Sequence, residues 1–240
     1  TTTDTIELDP PFSVRIRNAT MAAHRAAERR QFVHRLMRGQ LPIDGVADLM
    51  VQHHAIYRAL EQTGDGLADD AVVGPFVGAE LRRVPRIEAD LANLVGADWS
   101  ERFGTRPATR AYVELIRSSG AEPARFVAQH YTRLLGDLSG GQAIRRTLER
   151  HYGERLAGSL SFYDFDIDDL DAYKDAYRAR LDDAPWADAE LDAFIQLLRQ
   201  HHGLLGGVAE LVVGVLLEVE VVNGAAGERL LVFFSTVSIE

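Results

Sequence analysis

The sequence predicts an all-α, single-domain fold, and three observations predict it. Helical periodicity runs from about residue 13 to residue 211. Pro75, Pro107, Pro123 and Pro185 stand near the starts of periodic segments, where a missing N–H is tolerated. The 240 residues, with 46% hydrophobic content, suffice for one domain with a substantial buried core.

The elements follow in chain order. Asp9-Pro10-Pro11 makes residues 1–12 a non-helical lead, and Ser13 is placed to cap a first helix. Phe32, Leu36 and Leu41 continue that helix or form a short second one. Asp44 is the expected cap of the next, which runs through Leu49, His53, Ile56, Tyr57 and Leu60 until Gly64-Asp65-Gly66 breaks it. Further helices are expected over 76–95, 107–118, 122–152, 168–182 and 187–202. The acidic stretch from Asp164 to Asp171 reads as a solvated helix entrance rather than a metal site. The helical domain is thus expected to span residues 13–211. Residues 212–240 behave differently. Leu217-Glu218-Val219-Glu220-Val221 alternates with period two, Asn223-Gly224 is a turn signal, and 230–237 is rich in β-branched and aromatic residues. A C-terminal β-hairpin or irregular tail is expected there, with no role assigned.

Composition narrows the chemistry. A net charge of −10 is unsuited to phosphate backbones, so nucleic acid is not an expected partner. The chain has no cysteine, which excludes disulfide scaffolds, iron–sulfur clusters and thiol nucleophiles. The N-terminus has no basic region leading into an apolar core, so no signal peptide is read. The most apolar stretch, residues 204–222, is interrupted by Glu210, Glu218 and Glu220 and makes a poor membrane span. The expectation is a soluble cytoplasmic monomer that meets no membrane. Of 26 basic residues only Lys174 is a lysine.

Eight histidines are present: His24, His34, His53, His54, His130, His151, His201 and His202. His24 has the context of a ligand. Ala22, Ala23, Ala26 and Ala27 flank it, and small neighbours let a flat macrocycle approach; an ordinary alanine-rich helix explains the same composition. Arg17, Met21, His24 and Glu28 share one helical face. Glu28, one turn on, can accept from the imidazole Nδ1–H and leave Nε2 for a metal. Arg17 lies roughly 10 Å back along the axis, a distance at which a cation pairs with an anionic cofactor edge.

The segment from Phe126 to Tyr152 reads as one long helix with a fault. Gly136, Gly140 and Gly141 lie inside it beside Asp137 and Ser139. Each interior glycine costs about 1 kcal/mol relative to alanine. Either one helix ends here and another begins, or something must approach the backbone closely. Thr132, Gly136 and Gly140 recur one turn apart, so the second alternative offers a bare face to a planar ligand.

The run Tyr131-Thr132-Arg133-Leu134-Leu135-Gly136-Asp137-Leu138-Ser139-Gly140-Gly141-Gln142 closely resembles the distal-helix signature of the haem oxygenases. Ala23-His24-Arg25-Ala26-Ala27-Glu28 resembles their proximal motif. His54-Ala55-Ile56-Tyr57-Arg58-Ala59-Leu60-Glu61 and Tyr173-Lys174-Asp175-Ala176-Tyr177-Arg178 resemble further family segments, and the likeness covers residues 10–185 in order. The resemblance implies an all-α fold that holds haem b between the first helix and a kinked, glycine-rich distal helix. It implies O2- and electron-dependent conversion of haem to biliverdin, carbon monoxide and iron, haem being both substrate and cofactor. By position, His24 would be the axial ligand with Glu28 behind it. Gly136 and Gly140 would admit the distal helix to the haem, the Gly136 backbone touching O2, with Thr132 and Ser139 among the haem-contacting positions. Asp137 would hold the water network that delivers protons, with Tyr57 and Arg133 as members. Arg17, Tyr131, Lys174 and Arg178 match propionate-binding positions. An external electron donor, a ferredoxin or a flavin reductase, is implied as well.

The likeness fails at the C-terminal end. The family's last helix carries a phenylalanine and an asparagine near the haem. Phe194 stands near the first position, but Arg199-Gln200-His201-His202-Gly203 does not supply the second. The alternative from another class is a haem carrier or sensor that uses the same pocket without turnover. An enzyme of other chemistry on this scaffold would need a cysteine nucleophile or a carboxylate–histidine di-iron set, and neither is found.

Overall fold

A computed structural model describes residues 10–19 and 31–197. Among them there are helices and turns and no strand, as the periodicity predicts. We label residues 12–19 α1, Gln31–Met37 α2, Ile43–Asp65 α3, Val84–Val95 α4, Trp99–Arg102 α5, Pro107–Ser118 α6 and Pro123–Gly136 α7. A π-helical turn, Asp137–Gly141, leads into α8 at Gln142–Tyr152. Leu170–Asp183 is α9 and residues 188–197 are α10. No helix among the described residues is long and apolar enough to cross a membrane. The expected hairpin, His201, His202, the proximal His24 and Glu28 all lie outside the described residues.

Two of the expected caps are not used. Residue 12 is already helical, and Ser13 does not cap α1. Its backbone N and Oγ both donate to the carboxylate of Asp182, at 2.7 and 2.8 Å, and so tie α1 to α9. Pro42, not Asp44, is the N-cap of α3, and Asp44 sits in the first turn, where its charge still complements the helix dipole.

The helix expected over 76–95 begins only at Val84, after two short 3-10 turns at Gly74–Phe76 and Ala79–Leu81. The reason is long-range. Glu61 of α3 accepts from the backbone N–H groups of Arg83 and Val84 at 2.6 and 3.0 Å, so a neighbouring helix supplies the cap. By contrast, α9 begins as its acidic leader predicts, with Asp169 accepting from the N–H groups of Asp171 and Ala172.

At the centre, α7 is buried on every face from Phe126 to Gly136. A helix enclosed all round is a core element rather than a surface one. Tyr177 of α9 packs on it through His130, whose Nδ1 shares a 3.0 Å hydrogen bond with the tyrosine hydroxyl. Phe12 of α1 meets Phe194 of α10 edge to face at 5.0 Å, and Phe194 also neighbours Tyr131 of α7.

Candidate active site

The glycine-rich run does not break the helix. Gly136 and Gln142, on either side of it, both keep right-handed helical dihedrals, and Asp137–Gly141 closes as a π turn between them. A π turn carries its hydrogen bonds from i to i+5, inserting an extra residue into the coil. The faulted stretch is therefore continuous but widened. Gly141 shows why small residues are needed: a Cβ there would lie 3.3 Å from the Tyr163 ring and 3.5 Å from the Asp137 Cβ.

Behind this turn lies a buried polar network. Tyr57 of α3 donates its hydroxyl proton to Asp137 Oδ2. Arg133, one turn before Asp137, donates from Nη2 to the same oxygen at 3.1 Å. The same Nη2 also donates to His53 Nδ1 at 2.9 Å. Tyr57, Arg133 and Asp137 are each almost wholly removed from solvent. Asp137 Oδ1 and Arg133 Nε and Nη1 are buried and have no hydrogen-bond partner among the described residues.

Burial sets the electrostatics. It raises the Asp137 carboxyl above the ordinary carboxylate range, and the Arg133 charge and Tyr57 hydrogen bond offset this only in part. Burial, then the Asp137 charge, push the Tyr57 hydroxyl well above its usual value. Burial is the largest influence on the Arg133 cation and works against it, but Asp137, Tyr57 and Tyr112 together outweigh it and the guanidinium stays protonated. The result is a carboxyl group of raised proton affinity, bonded at one oxygen and, among the described residues, unbonded at the other.

The roof of the network is Phe162. Its ring lies 5.0 Å from that of His53 and 5.5 Å from that of Tyr57. Asp90 of α4 holds the phenylalanine in place, accepting from Ser161 N and Oγ and from Phe162 N at 2.7–2.9 Å. Arg83, equally buried, donates to the carbonyl oxygens of Phe162 and Asp164 from the other side.

The structure brings Tyr57, Arg133 and Asp137 together. Gly136 is buried just before the π turn and Gly140 within it, and Ser139 between them is half-buried. Thr132 is buried with its hydroxyl bonded to Ala128 O at 2.8 Å, so its own helix engages it. The Tyr131 ring lies 6.2 Å from Tyr177 and 6.3 Å from Phe194. Lys174 and Arg178 stand one turn apart on α9 and pair with Asp171 and Asp175 at 2.7 and 2.9 Å. Arg17 is exposed on α1. Sequence reasoning missed His53, Tyr112 and Phe162. Tyr112 of α6 lies close enough that Arg133 and Asp137 both act on its hydroxyl, which burial raises. For His53 a signal existed: it stands one helical turn before Tyr57.

Comparison with known proteins agrees with this architecture. Residues 10–200 match the family model described as Heme oxygenase. A heme oxygenase from Takifugu rubripes is 34% identical over 200 residues, covering 81% of this chain and 72% of that protein. The structure of heme oxygenase from Leptospira interrogans superposes with a TM-score of 0.78 at 27% identity, over 85% of this chain and all (100%) of the other. Heme oxygenase-1 from Synechocystis, solved in complex with heme, gives a TM-score of 0.76 at 27% identity, over 83% of this chain and 91% of its own.

Proposed function

Because this chain belongs to the haem oxygenase family, we propose that it degrades haem to biliverdin, carbon monoxide and ferrous iron, drawing on O2 and an external electron donor. The single observation that carries catalysis rather than storage is the state of Asp137. A carrier has no need of a buried carboxyl, raised in proton affinity, with one oxygen held by Tyr57 and Arg133 and the other unengaged.

The residues present fit a haem substrate. The orphaned Asp137 Oδ1 and Arg133 Nε and Nη1 call for polar partners inside the core, as water in a proton pathway would provide. The buried glycine-rich π turn leaves backbone open to close approach. Haem, when bound, supplies the iron that activates O2 and the porphyrin carbon that is oxidised.

On this reading the chain's own groups orient the substrate and move protons. His24 would hold the haem iron and Glu28 would orient its imidazole. Lys174 and Arg178 hold the propionates by exchanging Asp171 and Asp175 for the substrate's carboxylates, with Arg17 and Tyr131 as further propionate-binding positions. Asp137 accepts and releases a proton at Oδ1 through water while Tyr57 and Arg133 keep Oδ2 fixed. Gly136, Gly140, Thr132 and Ser139 line the distal wall.

Addition of hemin, then a reductant under air, tests the proposal. Loss of the Soret band with biliverdin and carbon monoxide as products supports it, whereas persistent ferrous haem identifies a carrier or sensor. Asp137→Ala is expected to bind haem and to lose at least about a hundredfold in biliverdin formation, the usual worth of a positioned acid–base group. His24→Ala is expected to abolish the histidine-ligated ferric spectrum.

A further inference from the structure

We propose that His53 is a positioning residue for proton delivery: it holds the Arg133 guanidinium in the orientation that leaves Asp137 Oδ1 unengaged. The assignment rests on the reading of Asp137 as the proton-delivering carboxyl.

The geometry is specific. Arg133 Nη2 carries two hydrogens and has two acceptors within reach, His53 Nδ1 at 2.9 Å and Asp137 Oδ2 at 3.1 Å. A guanidinium has only donors, so His53 Nδ1 is the acceptor and the ring is neutral, with its proton on Nε2. Two directed bonds from one nitrogen fix the plane of the fork. The imidazole is fixed in turn. It is 1% exposed on α3 and lies against the Phe162 ring, which Asp90 and Arg83 clamp.

His53 is not itself a proton donor here. Burial, and then the Arg133 charge, hold its pKa well below the usual histidine value. The other titratable or charged groups acting around the cluster are Asp137 itself, Tyr57 on α3, Tyr112 on α6, Arg83 ahead of α4, Tyr163, and Asp90 of α4. Asp137 already pairs with Arg133 and Asp90 is engaged by Ser161 and Phe162, so neither offsets a second cation beside Arg133.

Removal of His53 frees one Nη2 hydrogen in a buried site. Arg133 Nε and Nη1 also have no partner among the described residues. A guanidinium released from His53 rotates toward the two-point pairing that arginine and carboxylate favour, and so engages Oδ1. That pairing stabilises the carboxylate and takes up the oxygen through which protons pass.

The test compares His53→Leu, His53→Gln and His53→Asn. Asparagine carries an oxygen near the Nδ1 position; glutamine places it one bond farther. The first readout is the titration of the Asp137 carboxyl followed by 13C NMR in haem-free protein. The second is the rate of biliverdin formation. His53→Leu and His53→Gln are expected to lower the Asp137 midpoint by about one pH unit and to slow biliverdin formation about tenfold; His53→Asn is expected to restore both. If His53→Leu does not fold, the glutamine and asparagine variants carry the same contrast. An unchanged midpoint in the glutamine variant overturns the proposal, as does a lowered midpoint with wild-type turnover. Failure of the underlying reading is seen separately, in wild-type protein that makes no biliverdin, and it removes the assignment as well.

Discussion

Tyr57 of α3 and Asp137 of the π turn, 80 residues apart in sequence, share a buried hydrogen bond in which the phenol donates to Oδ2 of the carboxylate. Arg133 donates to the same oxygen. Oδ2 thus takes both bonds, and Oδ1 has no hydrogen-bond partner among the described residues. This asymmetry has consequences that can be measured.

Tyr57→Phe removes a bond that favours the charged carboxylate. The Asp137 midpoint is therefore expected to rise further, opposite in sign to the effect of His53→Leu. Haem affinity should hold while biliverdin formation falls about tenfold. Carboxyl 13C titration and single-turnover absorbance decide the matter, and a lowered midpoint contradicts the geometry.

Arg83→Met tests the clamp over the network. This guanidinium donates to the carbonyls of Leu81, Glu80, Phe162 and Asp164. Its loss strands several buried acceptors at about 1–3 kcal/mol each. We expect unfolding free energy to drop by at least about 3 kcal/mol in urea titration. A change below about 1 kcal/mol shows that the carbonyls find other donors.

Lys174→Gln with Arg178→Gln tests the propionate reading. Both side chains now form pairs with exposed carboxylates, which contribute little to stability. Thermal stability should change little. Haem affinity by Soret titration should weaken about tenfold for each charge lost, at about 1.4 kcal/mol per tenfold. Unaltered affinity places the propionates elsewhere.

His130 predicts an acid sensitivity. Burial lowers its pKa from 6.5 to about 4. The unfolded chain takes up a proton that the folded chain refuses, so this stability is fully present above pH 6.5 and is lost as pH falls toward 4. Between pH 7 and pH 5 the loss is about 2 kcal/mol for this one group. His130→Asn, which keeps a polar partner for Tyr177 but does not titrate, should show a shallower decline of urea midpoints over that range. A slope equal to wild type assigns the sensitivity to other groups.

Much of the site was legible through the run 131–142, whose resemblance to the haem oxygenase distal helix marks Arg133 and Asp137. Arg133 and Asp137 are four residues apart, so any helix through them stacks their side chains. The acidic stretch from Asp164 to Asp171 announced the entrance to α9, and Asp169 within it is the cap, because an N-cap acts within three residues. What was not legible depends on distant partners. The start of α4 is set by Glu61 from another helix, and Ser13 is claimed by Asp182, 169 residues away. His53 became a site residue only because α3 and α7 pack with its Nδ1 against the Arg133 fork.

The division is clearest at the glycine run. Sequence alone determined that Gly136, Gly140 and Gly141 strain an α-helix, since their backbone freedom makes that cost intrinsic. It left open whether the helix ends there. Tertiary structure decided that it continues as a π turn, because Asp137 is held by Tyr57 and Arg133 while Tyr163 closes on Gly141. The contacts from Tyr57 and Tyr163 come from chain segments that sequence spacing does not relate. They select one of several backbone geometries that the glycines permit.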